Sequence, residues 1–262
     1  MAELDGMLAL VAGASRPHAA ACVRALKRAG ARLALVDHNE ATIAELAGSL
    51  GQDDRADTYP GHLSAASAAV VLKRIEERQG TVDILVTCAG EPTVAPSVEL
   101  SGEDFAAALV SNTFHAFIWC QAVGRKMVAA GRGVIVNVTG LSGMGGWPGW
   151  LAQSASLGAI HNLTHTLATE WTRHGVRVSS LVPGIAERDL SDLLKTPEAP
   201  DRETVLRRIP SGRFATDDDL GKALIYLARP EASFISGEIL RVDGAWDVWG
   251  RYYAVDPHAG KR

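Results

Sequence analysis

Cysteine is scarce in this 262-residue chain: three thiols, Cys22, Cys88 and Cys120, with no Cys-x-x-Cys spacing. So sparse a set excludes a disulfide framework and a thiolate zinc ribbon, and is expected of a reducing compartment. Positive charge is not in excess either. Against 26 Lys and Arg stand 30 Asp and Glu, a net charge of −4, which leaves no basic footprint for nucleic acid and no polybasic membrane patch. No apolar run approaches the roughly 20 residues that span a bilayer. The opening MAELDGMLALVAG lacks the basic segment of a secretory signal. A cytoplasmic protein is expected, with neither nucleic acid nor membrane as a partner.

What is present is a regular alternation. Short apolar runs at Met7–Ala12, Arg32–Val36, Val82–Thr87, Val134–Val138, Val176–Leu181 and Glu238–Val242 have the character of strands buried on both faces. Between them, Ala19–Ala29, Glu40–Leu50, Ser64–Gln79, Glu103–Ala130, Ala152–His174 and Asp217–Ala228 carry helical spacing. Gly30 and Gly80 stand where left-handed caps would end the first and third helices. The pattern predicts one α/β domain over residues 1–262. It is a doubly wound, Rossmann-like parallel sheet of about seven strands in a three-layer αβα sandwich. The core runs from 6 to 246. Residues 186–210, with Pro197, Pro200 and Pro210, are expected as a mobile insertion over the mouth of the sheet, and 247–262 as a C-terminal tail.

Landmarks spaced along this frame resemble the short-chain dehydrogenase/reductase family. Ala12-Gly13-Ala14-Ser15 follows the first strand, Asp37 closes the second, and Ala89-Gly90 closes the fourth. Asn112 lies in the long helix. Ile135-Val136-Asn137-Val138, Pro183-Gly184, Gly212-Arg213-Phe214, Ser236-Gly237 and Val242-Asp243-Gly244 follow in order. The resemblance implies a nicotinamide-dependent oxidoreductase with a Tyr-x-x-x-Lys pair after the fifth strand and a serine about thirteen residues earlier. At those positions stand Gln153, Leu157 and Gly140. Of the usual four catalytic positions only Asn112 is kept. The tyrosines, Tyr59, Tyr226, Tyr252 and Tyr253, are followed four residues on by Leu63, Pro230, Asp256 and Pro257, so no displaced pair exists.

These losses bear on proton transfer. Hydride exchange at a carbinol carbon requires a proton to move at its oxygen, and an amide is neither acid nor base near neutral pH. Leucine tunes no pKa and holds no ribose. The implied nucleotide site departs too. Pro17 and Ala19 stand where the family's turn has glycines, and proline removes a backbone donor. His62 replaces the adenine-contacting acid, Thr87 and Cys88 replace two asparagines, and Arg188 replaces a carboxamide-contacting threonine. Gly13, Asp37, Ala89 and Gly90 remain as vestiges of cofactor binding, and Asp37 suits a ribose hydroxyl.

Other residues carry alternatives. His18 or Glu91 could act as a new acid, or be surface residues. Ser142 could point into the site or cap a turn. Cys88 could be a nucleophile or a small core residue. His161 and His165 have metal-pair spacing but no third ligand, and no metal is expected. Trp147 and Trp150 could plug the cleft, meet a partner or pack ordinarily. Trp246, Trp249, Tyr252 and Tyr253 crowd the tail as interface aromatics do.

Three functions follow. The first is a non-catalytic subunit without cofactor. It would assemble, as dimer or tetramer, with an active relative that carries NAD and acts on a hydroxy or keto substrate, acyl-CoA thioesters among the candidates. The second is a divergent NAD-dependent oxidoreductase using another proton donor such as His18. The third is a ligand sensor on the same fold.

Overall fold

The computed structural model describes residues 3–51, 56–61, 64–90, 93–193 and 201–249. Seven parallel strands form one sheet: β1 (Leu8–Ala12), β2 (Arg32–Asp37), β3 (Ala56–Pro60), β4 (Ile84–Cys88), β5 (Gly133–Val138), β6 (Val176–Pro183) and β7 (Ile239–Val242). Their order is β3-β2-β1-β4-β5-β6-β7. The chain winds outward from β1 to β3, then returns to lay β4 beside β1. That reversal opens a crevice at the carboxyl ends of the strands, where such sheets bind ligands.

Side chains alternate between two cores. Ala9 and Val11, Leu33 and Leu35, and Ile84 and Val86 face one side. Leu8 and Leu10, Ala34 and Val36, and Leu85 face the other. Burial on both faces is why these strands read as unbroken apolar runs. The third strand, which has no such run, lies at one edge of the sheet, with only Tyr59 of its five residues buried.

Helices α1 (Ala19–Arg28), α2 (Glu40–Gly48), α3 (Ala65–Gln79), α4 (Gly102–Ala108), α5 (His115–Ala130), α6 (Leu151–Trp171), α7 (Leu190–Leu193), α8 (Arg202–Arg207) and α9 (Asp217–Ala228) complete the described elements. Ser64, Ser101 and Thr216 cap α3, α4 and α9 through their hydroxyls. Thr216 and Asp219 form a full capping box.

Two expectations need correction. The segment 103–130 is not one α-helix, because a π-helical turn, Leu109–Phe114, separates α4 from α5. Gly80 has φ 90° and ψ −166°, an extended glycine-only conformation and not the left-handed one. Within 186–210 the described residues are structured. Ala186 bridges to Ala215, and Leu190, Val205 and Ile209 are buried in one cluster. Residues 194–200 lie outside the described residues. No described helix is long and apolar enough to cross a membrane.

Candidate functional site

The π turn explains how Asn112 is used. A wide turn pushes its side chain inward, and such turns recur at functional sites. Its Oδ1 accepts the Gly90 N–H at 3.0 Å, and its Nδ2 donates to Ser156 Oγ at 3.0 Å. Ser156 Oγ donates in turn to the Gln153 carbonyl at 2.9 Å. Fully buried, Asn112 pins the end of β4 to α6.

Helix α6 sends Gln153, Leu157 and His161 from one face, four residues apart, toward the end of β5. Leu157 is sealed in the core with 0% exposure, clustered with Ala89, Ala116 and Ile160. Its Cδ1 lies 3.4 Å from the point where a β-carbon on Gly140 would sit. Gly143 packs still closer, its missing β-carbon lying 2.8 Å from Leu157 Cβ and 2.9 Å from His161 Cε1. Gln153 is 7% exposed, and its Oε1 is buried without a hydrogen-bond partner.

Gly140, Ser142 and Gln153 come together on a cleft of about 100 Å³. Pro17, His18, Gly90, Trp147, Trp150, Gly184 and Asp189 complete most of its wall. Among its described lining residues there is no tyrosine, lysine, arginine or cysteine, and His18 and Asp189 are the ionisable ones. Ser142, in a short 3₁₀ turn (Leu141–Gly143), faces this cleft.

The nucleotide cradle is altered residue by residue. Gly13, at φ 81°, is a place only glycine fits: a β-carbon would stand 2.5 Å from the Cys88 carbonyl oxygen. Four residues on, Pro17 leaves a gap in the backbone donors that a pyrophosphate would use. His18 then takes a left-handed φ of 65° as the N-cap of α1, with no capping bond. Its Nδ1 lies 3.2 Å from an Arg188 guanidinium nitrogen, and Arg188 also pairs with Asp217 and, at 3.7 Å, Asp189. Arg188 thus bridges the N-termini of α1 and α9 across the cleft mouth. Burial holds His18 below the ordinary imidazole value, and Arg188 adds to this against Asp189 and Asp217.

Asp37, expected to hold a ribose, is engaged within the fold. Its oxygens accept from the Ser15 and Asn39 amides at 3.1 Å each, and His38 Nδ1 stands at 2.8 Å. Burial raises its pKa, yet those hydrogen bonds and His38 outweigh burial and hold it below the usual value. Ala19 is fully buried at the start of α1, and Ala89 is buried behind Gly90. His62 and Glu91 lie outside the described residues. These groups do not fit a nicotinamide nucleotide as the family's residues do. The turn has lost a donor and the lysine seat is apolar core, while Asp37, accepting two backbone N–H groups, keeps lone pairs that a ribose hydroxyl could use.

Cys88 is buried in the core, and its contact with Cys22 together with burial pushes its thiol well up, so it is no nucleophile. His161 Nε2 bonds Thr139 Oγ1 at 2.9 Å while His165 is exposed, so the two histidines do not converge. Trp147 packs edge-on to Trp150 and stacks on Trp246, with Arg208 4.5 Å above the Trp246 ring. Those contacts join the loop after β5 to the segment after β7. Tyr252 and Tyr253 lie outside the described residues.

Two features were missed from sequence. His115 is wholly buried beneath the Gly13 turn, its Nε2 3.2 Å from the missing β-carbon of Gly13, and neither ring nitrogen makes a hydrogen bond. Its position three residues after Asn112, at the start of α5 where the π turn ends, was a usable signal. Asn137 holds a buried network behind the site: Oδ1 accepts from Thr87 Oγ1 at 2.7 Å, and Nδ2 donates to Thr164 Oγ1 at 3.0 Å.

Residues 13–246 match the family described as Enoyl-(Acyl carrier protein) reductase. The chain belongs to the short-chain dehydrogenase/reductase family. The D-threitol dehydrogenase of Mycolicibacterium smegmatis is 35% identical over 250 residues, covering 94% of this chain and 95% of that protein. The galactitol 2-dehydrogenase (L-tagatose-forming) of Cereibacter sphaeroides is 36% identical, covering 94% and 97%. A crystal structure of a gluconate 5-dehydrogenase from Burkholderia cenocepacia, in complex with NADP and tartrate, superposes with a TM-score of 0.87 at 31% identity, covering 95% and 98%. The short-chain dehydrogenase fold is therefore kept throughout, and these relatives are named as oxidoreductases.

Proposed function

We propose that this chain is a non-catalytic short-chain dehydrogenase subunit, a degenerate member of its family. It assembles as a hetero-oligomer, dimer or tetramer, with a catalytically competent relative. In this reading the relative carries NAD and turns over a hydroxy or keto substrate, acyl-CoA thioesters among the candidates, and this subunit holds no nucleotide.

The observation that carries the reading is the burial of Leu157. A lysine there would bury an ammonium among Ala89, Ala116 and Ile160, and an isolated buried charge is strongly disfavoured. The seat has become core and is not available to a mobile base. Val110, Phe114 and Phe117, exposed at 47%, 41% and 37% on the π turn and α5, support assembly as this subunit's role.

Co-expression with a short-chain dehydrogenase of the same organism that keeps the Tyr-x-x-x-Lys pair tests the reading. The expected result is a stable complex whose dehydrogenase activity exceeds that of the relative alone. Failure to co-purify, with the relative fully active by itself, would overturn it. A second reading, a divergent dehydrogenase, has one observation in its favour: His18 lines the cleft and is held neutral. It requires NAD-linked turnover by this chain alone that His18→Gln abolishes.

A further inference from the structure

Two cavities meet at one polar contact. The cleft of about 100 Å³ has His18 and Asp189 in its wall, and a neighbouring pocket of about 550 Å³ has Arg188 and Asp217 in its own. The contact of His18 with Arg188 stands between them. Arg188 belongs to the short turn after β6 (Glu187–Asp189). It reaches His18 at the N-terminus of α1 and Asp217 at that of α9. Asp217 is held from its other side by Arg24 of α1 at 3.2 Å.

The His18 contact works in one protonation state. A guanidinium only donates, so His18 Nδ1, 3.2 Å from Arg188 Nη2, is the acceptor and carries no proton. Protonation turns that acceptor into a donor and sets two cations against each other. It also draws the ring toward Asp189, whose charge already acts on it. The Asp189 carboxylate holds its own turn together, accepting the Ala186 N–H at 2.7 Å. The charged groups that act on His18 are Arg188 and Asp189 from the turn and Asp217 from α9. Glu187 is engaged by Arg202 at 2.7 Å. The ion pairs of Arg188 are partly exposed, and such pairs are weak one by one, so a single proton is enough to tip them. Ile185 and Leu190, buried on either side, stay as anchors, and residues 186–189 are what is set free.

We propose that Arg188 and His18 form an acid-released strap across the cleft mouth. With the imidazole neutral the strap separates the two cavities. On protonation the turn lets go and they join. Burial, with Arg188, holds the strapped imidazole below its ordinary 6.5 against the pull of Asp189 and Asp217. The open form therefore takes up the proton first. Closure is complete above 6.5 and is lost as pH falls below it. The strap gates the cleft whether or not the chain is catalytic.

Amide hydrogen exchange of the purified full-length chain, followed by mass spectrometry from about pH 7.5 to about pH 5 and corrected for the intrinsic rate at each pH, tests the strap. The segment 184–193 carries the Ala186 and Asp189 amides, both hydrogen-bonded within the turn. Strand β4 serves as the internal reference for general loss of stability, that from His115 included. The expected result is an opening of 184–193 that rises by up to about tenfold per pH unit below 6.5, as one proton gives, while β4 does not follow. His18→Asn should abolish the rise, because asparagine tolerates a left-handed φ and keeps an acceptor but does not titrate. Arg188→Gln should exchange at neutral pH as fast as the parent does in acid, with no further rise. It is read alone should His18→Asn not fold by circular dichroism. A flat parent profile, a rise shared equally by β4, or an undiminished rise in either variant overturns the strap.

Discussion

Leu157 rests against the bare backbone of Gly140, its Cδ1 3.4 Å from where a β-carbon on that glycine would lie. The seats that the family gives to its serine and its lysine here pack on each other. The contact is an ordinary van der Waals one, so the two residues differ in what they tolerate.

Leu157→Ala should destabilise the fold by about 2–5 kcal/mol, as deletion of a fully buried leucine does. Gly140→Ser should be nearly neutral, because its β-carbon meets Leu157 at normal distance. Urea unfolding of both variants checks the contrast. Equal effects would show that the two residues are not packed as described.

Gly143→Ala should cost about 1–3 kcal/mol by overpacking. The new methyl would stand 2.8 Å from Leu157 Cβ and 2.9 Å from His161 Cε1, and neither neighbour is the free end of a flexible chain. Pairing it with Leu157→Ala in a double-mutant cycle should recover part of the loss.

Acid sensitivity should trace to His115. Burial, reinforced by Arg16, pushes its pKa down to about 4, against 6.5 when unfolded. The unfolded chain therefore takes up the proton first. The stability linked to this group is complete above 6.5 and is lost as pH falls from 6.5 through 4, with a slope approaching 1.4 kcal/mol per pH unit for one proton, roughly. His115→Leu should flatten that slope. It should be at least as stable as the parent near neutrality, since it removes two unbonded ring nitrogens. Urea unfolding across that pH window reads both effects.

The sheet was legible because its inner strands are buried on both faces, which the apolar runs of β1, β2, β4 and β5 announce. Strand β3 at one edge, Ala-Asp-Thr-Tyr-Pro, carries no such signal, since only Tyr59 of its residues is buried. The identities at Gly140, Gln153 and Leu157 could be read by position, but not that Leu157 is sealed or that Gln153 lacks a partner. Those depend on what α6 meets. The π turn at Asn112, Leu-Val-Ser-Asn-Thr-Phe, has middling helix propensity and carries no residue that marks a wide turn against an α-helical one. The stacking of Trp147 on Trp246 joins residues far apart in the chain, which only the sheet order brings together.

The most direct test of the central claim is calorimetric titration of the purified chain with NADH and with NADPH. A turn lacking a donor at Pro17 and a leucine in the lysine seat predict no saturable heat with either nucleotide. Micromolar binding accompanied by NAD-linked oxidation of an alcohol would contradict the account.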